Sequence, residues 1–89
     1  MELYGNFETP VFVALGRTGA VVYSIGRLGR AAEALLHEWP EKRGPKYIAA
    51  KEACLLAWRR EGSVEDARRA FEDAAREAGI LLIPGPEGL

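Results

Sequence analysis

Residues 39–54, Trp-Pro-Glu-Lys-Arg-Gly-Pro-Lys-Tyr-Ile-Ala-Ala-Lys-Glu-Ala-Cys, decide the fold that the sequence predicts. Pro40 predicts the end of a first helix at Trp39, because the residue before a proline is pushed out of the α-helical region. Gly44 and Pro45 predict a turn followed by a new helix, since the fixed φ of proline suits the first helical position. The stretch is therefore predicted to be a corner at which two helices meet.

The helix that leads into this corner is predicted to span residues 28–39. From Leu28 onward, apolar residues recur about every 3.6 residues instead of every second residue. The predicted inner side carries Leu28, Ala31, Ala32, Leu35, Leu36 and Trp39, and the outer side carries Arg30, Glu33, His37 and Glu38. This pattern is typical of an amphipathic helix that packs one face on a core.

Two further helices are predicted after the corner. The second begins near Pro45, has Arg59 and Arg60 in its last turn, and is expected to direct inward Tyr47, Ile48, Ala50, Cys54, Leu55, Ala57 and Trp58. The third begins after Ser63, an N-cap with Asp66 three residues on, and ends at Gly79. Its outer face is expected to carry the ion pairs Glu65–Arg69, Arg68–Glu72, Arg69–Asp73 and Glu72–Arg76.

Both ends of the chain are predicted to contribute extended structure. Residues 10–15 and 20–24 are β-branched and aromatic, and they flank turn residues that include Gly16 and Gly19, so they predict a β-hairpin opened by Pro10. Near the C-terminus, an apolar run is too short for a helix and is expected to be either a third strand or a patch buried in a partner. The run is Ile80, Leu81, Leu82 and Ile83.

The predicted fold class is therefore α+β, with an N-terminal β-hairpin packed against three α-helices and a possible short C-terminal strand. A chain of 89 residues is too small to build two cores, so residues 1–89 are expected to form a single domain. Residues 1–8 are expected to be a flexible lead, and residues 84–89 a flexible tail.

Composition excludes several classes of function. The 12 basic and 13 acidic residues give a net charge of −1, so no global charge attracts nucleic acid or an anionic membrane. No stretch approaches the roughly 18 apolar residues of a membrane span. One cysteine, Cys54, excludes an internal disulfide and fits a reducing compartment. We expect a cytoplasmic protein, with nucleic acid an unfavoured partner.

The sequence resembles the bacterial "domain of unknown function 982" family of short proteins over roughly residues 7–80. The points of likeness are the strand start at Pro10 and Val11, Leu35 and Leu36 leading into Trp39 and Pro40, the Gly44 turn, Tyr47 with Ala50, Ala53 and Cys54, and Ala67, Arg68, Ala70, Phe71, Ala74 and Ala75. Residues 25–30 depart from the family pattern, in which a more polar cap usually opens this helix, so the resemblance implies a later helix start in this chain. The resemblance implies the α+β fold and implies no activity, substrate or cofactor.

Catalysis and metal binding find little support among the residues. The one candidate nucleophile and base pair is Cys54 with His37, and the two lie on different helical faces, Cys54 on the apolar side and His37 on the polar side. We interpret Cys54 as a small buried core residue. One His and one Cys give no spacing typical of a metal site. The sequence therefore predicts no enzyme, no cofactor and no metal.

Anion binding is the alternative that the sequence leaves open. Two predicted helix starts carry basic residues, and free N–H groups at a helix start favour an anion. The candidate residues are Arg27, Arg30, Lys42, Arg43 and Lys46. The same residues are also typical of strand-to-helix turns and a solvated rim, so the sequence does not decide between a phosphate or nucleic-acid site and an ordinary surface.

Aromatic and apolar residues supply the remaining prediction. Trp39, Tyr47, Trp58 and Phe71 are expected to form the core, while Tyr4, Phe7 and the run Ile80 to Ile83 are expected to be exposed. An exposed apolar run predicts self-association, most simply a two-fold dimer in which residues 80–83 or the edge of the hairpin supply the interface. We therefore predict a non-enzymatic interaction or regulatory module that acts as a homodimer. The sequence identifies neither its biological role nor a further protein partner.

Overall fold

The structure is a computed structural model, and it describes residues 5–16, 21–41 and 43–82. Two strands are followed by three helical regions, which confirms the α+β arrangement of a β-hairpin and three helices. The elements are β1 (Asn6–Leu15), β2 (Val21–Arg27), α1 (Leu28–Glu33) continued by a π-helical turn (Ala34–Glu38), α2 (Pro45–Trp58) and α3 (Val64–Ala78).

The hairpin is longer than the sequence predicted. β1 begins at Asn6, which pairs with Arg27 at the end of β2, so residues 6–8 belong to the strand and not to a flexible lead. The prediction that Phe7 is exposed is wrong, because its ring is buried in the core. The antiparallel pairing is irregular between Asn6 and Val11. Pro10 lies inside this irregularity, where its missing N–H leaves no ladder bond unmade.

The C-terminal run adds a short contact to the free edge of β1. Val13 and Leu81 form an isolated antiparallel bridge. The N–H of Ala14 donates to the carbonyl of Ile80 at 2.9 Å, and the N–H of Leu82 donates to the carbonyl of Phe12 at 3.0 Å. Up to Leu82, the last described residue, this is a single bridge and not a third strand. Ile83, the tail at 84–89, Gly19 and Tyr4 lie outside the described residues.

The first helical region starts at Leu28 without a polar cap, so the later start that the family resemblance implied is wrong. β2 passes directly into α1, and the N–H of Leu28 donates to the carbonyl of Gly5 at 2.7 Å. The region ends as predicted at Trp39, whose ψ of 142° is extended because Pro40 follows. Its last five residues are π-helical, and a π-helical turn holds an extra residue. The prediction that Leu36 points inward is wrong, because its side chain is exposed whereas those of Ala34 and Leu35 are buried.

The core is built from β1, β2 and the inner faces of the helices. Three aromatic rings lie in contact as predicted: the ring centroids of Trp39 and Tyr47 are 6.2 Å apart, and those of Trp39 and Phe71 are 5.4 Å apart. The Tyr47 hydroxyl donates to the carbonyl of Leu35 at 2.8 Å, which satisfies the buried phenol. The prediction that Trp58 belongs to this cluster is wrong, because its side chain is 67% exposed.

Helix α2 packs on α3 through small residues. Its buried positions are Tyr47, Ala50, Cys54 and Ala57, a narrow stripe of mostly small side chains that lets the helices approach closely. Two other residues predicted to point inward, Ile48 and Leu55, are 57% and 53% exposed. Both predictions are wrong, because a closely packed stripe leaves no space for large side chains beside it.

Helix α3 has the ends and the outer face that the sequence predicted. The Ser63 hydroxyl accepts the N–H of Asp66 at 2.9 Å, and Gly79 closes the helix in the left-handed conformation with a φ of 76°. The ion pairs Glu65–Arg69, Arg68–Glu72 and Glu72–Arg76 are present. Asp73 pairs with Arg76 at 3.0 Å instead of Arg69, because a pair three residues apart also shares one face.

Candidate interaction surface

An open apolar groove of about 280 Å³ lies between the first helical region and α2. Its walls are Ala32, Leu35 and Leu36 on one side and Lys51, Cys54, Leu55 and Trp58 on the other. Leu36, Leu55 and Trp58 are each more than half exposed. Large exposed apolar side chains in one cluster are unusual on soluble monomers, so this groove is the candidate interaction surface.

The exposed residues of α2 that line this groove or stand beside it follow a regular spacing. Ile48, Lys51, Leu55 and Trp58 are separated by three, four and three residues, the spacing of the seam along which two helices pack in a coiled coil. The buried stripe of α2 lies on a different side of the same helix. We call the set Leu36, Ile48, Lys51, Leu55 and Trp58 the groove face. Helix α2 thus carries two packing stripes, of which one is used inside the chain.

Contacts of the Arg30 side chain stabilise the π-helical turn beside the groove face. The guanidinium of Arg30 makes two hydrogen bonds to the carboxylate of Glu38, at 2.9 and 3.0 Å, which span the turn from α1 to its last residue. The hydrogen bond to Glu38 raises the pKa of Arg30 above its ordinary value. The same guanidinium lies 5.0 Å from the centre of the Tyr23 ring on β2. These contacts hold the segment that presents Leu36.

Cys54 forms the floor of the groove and not a reactive centre. Its side chain is 5% exposed, which confirms the prediction of a small buried core residue, and His37 is exposed as predicted. Burial raises the pKa of the Cys54 thiol to about 11. The thiol is therefore protonated at neutral pH, whereas a nucleophilic cysteine requires the thiolate.

Metal binding and membrane insertion find no structural counterpart within the described ranges. In residues 5–16, 21–41 and 43–82, no three His, Cys, Asp or Glu side chains come together as a metal site requires. Over the same ranges, no helix is both long and apolar enough to cross a membrane.

The first group of predicted anion-binding residues lies where β2 meets α1. Arg27 and Arg30 line an open cleft of about 490 Å³, together with Ser24, Gly26, Gly29 and Glu33. The charge of Arg30 is compensated by Glu38 and, at 3.5 Å, by Glu33. Arg27 is the N-cap residue of α1, but its side chain makes no capping hydrogen bond to the helix. The cleft therefore combines one compensated guanidinium with an acidic wall.

The second group lies at the start of α2, where the chain supplies its own anion. The carboxylate of Glu77 accepts the N–H groups of Gly44, Lys46 and Tyr47, each at 3.2 Å. From the sequence, N–H groups at this helix start were predicted to be free to bind an external anion. Arg43 donates to the carbonyls of Trp39 and Pro40, both at 3.1 Å. Lys42 lies outside the described residues, and anion binding at all five residues stays a prediction.

Sequence reasoning missed both features that define this region. The carboxylate of Glu77 reaches α2 from another helix, more than 30 positions away, so no local pattern reveals it. The groove face did have a signal, because the three-four-three spacing of residues 48, 51, 55 and 58 is visible in the sequence. The spacing alone does not distinguish this face from the buried one, because apolar residues surround most of α2.

The family profile described as "Protein of unknown function (DUF982)" matches residues 9–82, most of the chain, from within β1 through β2 and the three helical regions. The chain belongs to this family. The match confirms the resemblance drawn from the Trp-Pro corner and the alanine-rich helices, and a DUF982 description assigns no activity. No curated protein and no solved structure matches the chain.

Proposed function

We propose that this DUF982 protein is a small, non-enzymatic interaction module of the cytoplasm that acts as a homodimer through the groove face. The observation that carries the proposal is the exposure of Leu36, Ile48, Leu55 and Trp58, at 55, 57, 53 and 67% of each residue. Transfer of such side chains out of water is the main favourable term in protein association.

The chemistry of the surface supports binding and not catalysis. The groove has one charged side chain among its described lining residues, Lys51, and its cysteine is held as the thiol by burial. An enzyme needs a positioned nucleophile, acid or base in its cleft. An apolar groove on a helical corner instead fits a helix laid along it, which is a common mode of protein recognition.

The run Ile80, Leu81, Leu82 and Ile83 remains the other predicted interface. Ile80 and Leu81 pack against the core, and the backbone of this run bonds to β1. Because part of the run is already occupied within the chain, we favour the groove face as the site of self-association.

Sedimentation equilibrium of the full chain tests the proposal. We expect a species of twice the 9.8 kDa chain mass at high micromolar concentration. Leu55→Lys places a charge in the groove face and is expected to give a monomer. Leu56→Lys is the matched control, because Leu56 is 43% exposed on another side of α2, and it should leave the dimer intact.

A wild-type protein that stays monomeric under these conditions would contradict the proposed homodimer. A dimer that survives Leu55→Lys would instead point to the C-terminal run as the interface. Circular dichroism of both lysine variants checks that α2 remains folded, since lysine is a good helix former.

A further inference from the structure

We infer that the occupant of the groove face is a second copy of this chain, with the two α2 helices antiparallel across a two-fold axis that passes between Lys51 and Glu52. The inference rests on the proposed function and specifies how the homodimer is built. A two-fold interface requires a surface that is complementary to itself, and the groove face together with the adjacent Glu52 meets this requirement in both shape and charge.

The shape argument concerns Ile48 and Leu55. These two residues lie equally far from the proposed axis along α2, so Ile48 of one copy faces Leu55 of the other. Leu55 is part of the groove wall, whereas Ile48 stands exposed beside the groove and does not line it. Each copy therefore offers one projecting side chain, Ile48, and one groove. In the two-fold arrangement, Ile48 of each copy lies in the groove of the other copy.

The charge argument concerns Lys51 and Glu52, which are adjacent at the proposed axis. Both are exposed, and within residues 5–16, 21–41 and 43–82 neither side chain has an ion-pair partner. Neighbouring residues on a helix do not face each other, so the two cannot pair within one chain. Across the two-fold axis, Lys51 of each copy faces Glu52 of the other.

A second copy explains the surface better than an unrelated helix. An unrelated partner would need an acidic residue opposite Lys51, a basic residue opposite Glu52 and an apolar knob at the groove. The chain itself carries all three at the spacing that an antiparallel arrangement requires. Complementary charges of this kind set the register and the choice of partner.

Charge exchange tests the arrangement by sedimentation equilibrium of four proteins: wild type, Lys51→Glu, Glu52→Lys and the double variant. Each single variant places two like-charge contacts at the axis, and we expect its dimer dissociation constant to rise about tenfold or more. The double variant restores opposite charges, and its constant should return to within about threefold of wild type.

The double variant also controls for effects inside the chain. The ammonium of Lys51 lies 5.4 Å from the centre of the Tyr47 ring, and Lys51→Glu removes this contact. The double variant removes it as well, so recovery of the dimer can come only from the contact between copies. Lysine and glutamate have similar helix propensities, which keeps α2 comparable in all four proteins.

Three results would overturn the inference, and they separate it from the proposed function. A dimer that is lost in Leu55→Lys but unaffected by either single charge variant keeps the function and excludes this arrangement. A double variant that stays as weak as the single variants also excludes it while keeping the function. A wild-type chain that remains monomeric at high micromolar concentration excludes both.

Discussion

Helices α2 and α3 are of similar length and pack against each other, yet their outward faces differ. The outer face of α3 carries ion pairs along its length, such as Arg68 with Glu65 at 2.9 Å and with Glu72 at 3.2 Å. The outer face of α2 carries large apolar side chains and two charges without an ion-pair partner in the described structure. A face like that of α3 is suited to water. The face of α2 is the one that we propose for contact with another protein surface, and the comparison of the two helices is what motivates that proposal.

The largest expected effect distinguishes the inner face of α3 from the outer face of α2. Phe71 is fully buried, and Phe71→Ala should lower the free energy of unfolding by about 3 to 5 kcal/mol, because it removes a large side chain and leaves a cavity. Trp58→Ala removes a larger but exposed side chain and should cost the monomer about 0.5 kcal/mol or less.

Urea denaturation in the Leu55→Lys background measures both values without a contribution from dimerisation. If Trp58→Ala destabilised this monomer by as much as Phe71→Ala, the indole would be part of the fold, and the contrast between the two helices would fail.

A smaller effect separates the ways in which the two helices begin. The start of α2 depends on Glu77, whose carboxylate accepts three N–H groups, whereas the start of α3 depends on the local hydroxyl of Ser63. Glu77→Ala should cost about 2 kcal/mol, because charged acceptors contribute more than neutral ones. Ser63→Ala should cost about 1 kcal/mol, a typical value for loss of an N-cap.

Thermal unfolding of the two variants, with hydrogen exchange at the first turns, measures this difference. We expect Glu77→Ala to expose the amides of Gly44 and Lys46, and Ser63→Ala to expose the amide of Asp66. An equal loss of stability in both variants would show that the carboxylate of Glu77 contributes no more than the hydroxyl of Ser63.

The smallest expected effect concerns pH and the inner stripe of α2. Burial raises the pKa of Cys54 from 9.0 to about 11, so the folded protein keeps this proton at a pH where the unfolded chain loses it. The protonated Cys54 thiol therefore makes its full contribution to the free energy of unfolding below pH 9, and this contribution declines as the pH rises toward 11. Between pH 7 and pH 10 we expect wild type to lose about 1 kcal/mol relative to Cys54→Ala.

Urea denaturation of the two proteins at several pH values gives this difference, and titration of lysines and tyrosines cancels in the comparison. If the difference in the free energy of unfolding between wild type and Cys54→Ala stayed constant from pH 7 to pH 10, the pKa of the thiol would not be raised by folding. Slow alkylation of native wild type by iodoacetamide at pH 8 should accompany the result.

The sequence predicted the parts of the fold that depend on neighbouring residues. The Ser63 cap, the left-handed Gly79 and the end of the first helical region before Pro40 all follow from local sterics and short hydrogen bonds. The length of the hairpin was underestimated, because Asn6 and Phe7 join β1 through pairing and burial that local propensity does not describe.

The sequence predicted less of the candidate site, for physical reasons that particular residues illustrate. Leu36 lies in a π-helical turn, which the helical period of 3.6 residues does not describe, and its side chain is exposed. Trp58 was assigned to the core because aromatic residues are mostly buried, and only the close packing of α2 on α3 shows that no space exists for it there. The groove needs two helices at a known separation, which spacing within one helix cannot provide.

The bridge between Val13 and Leu81 has a consequence for aggregation. β1 is a ten-residue strand with a buried apolar face, and β2 covers one of its edges. A strand edge with unpaired N–H and carbonyl groups invites pairing between chains. The backbone bonds from Ala14 to Ile80 and from Leu82 to Phe12 occupy the middle of the other edge. Three residues near the end of the chain thus protect a strand near its beginning from uncontrolled sheet extension.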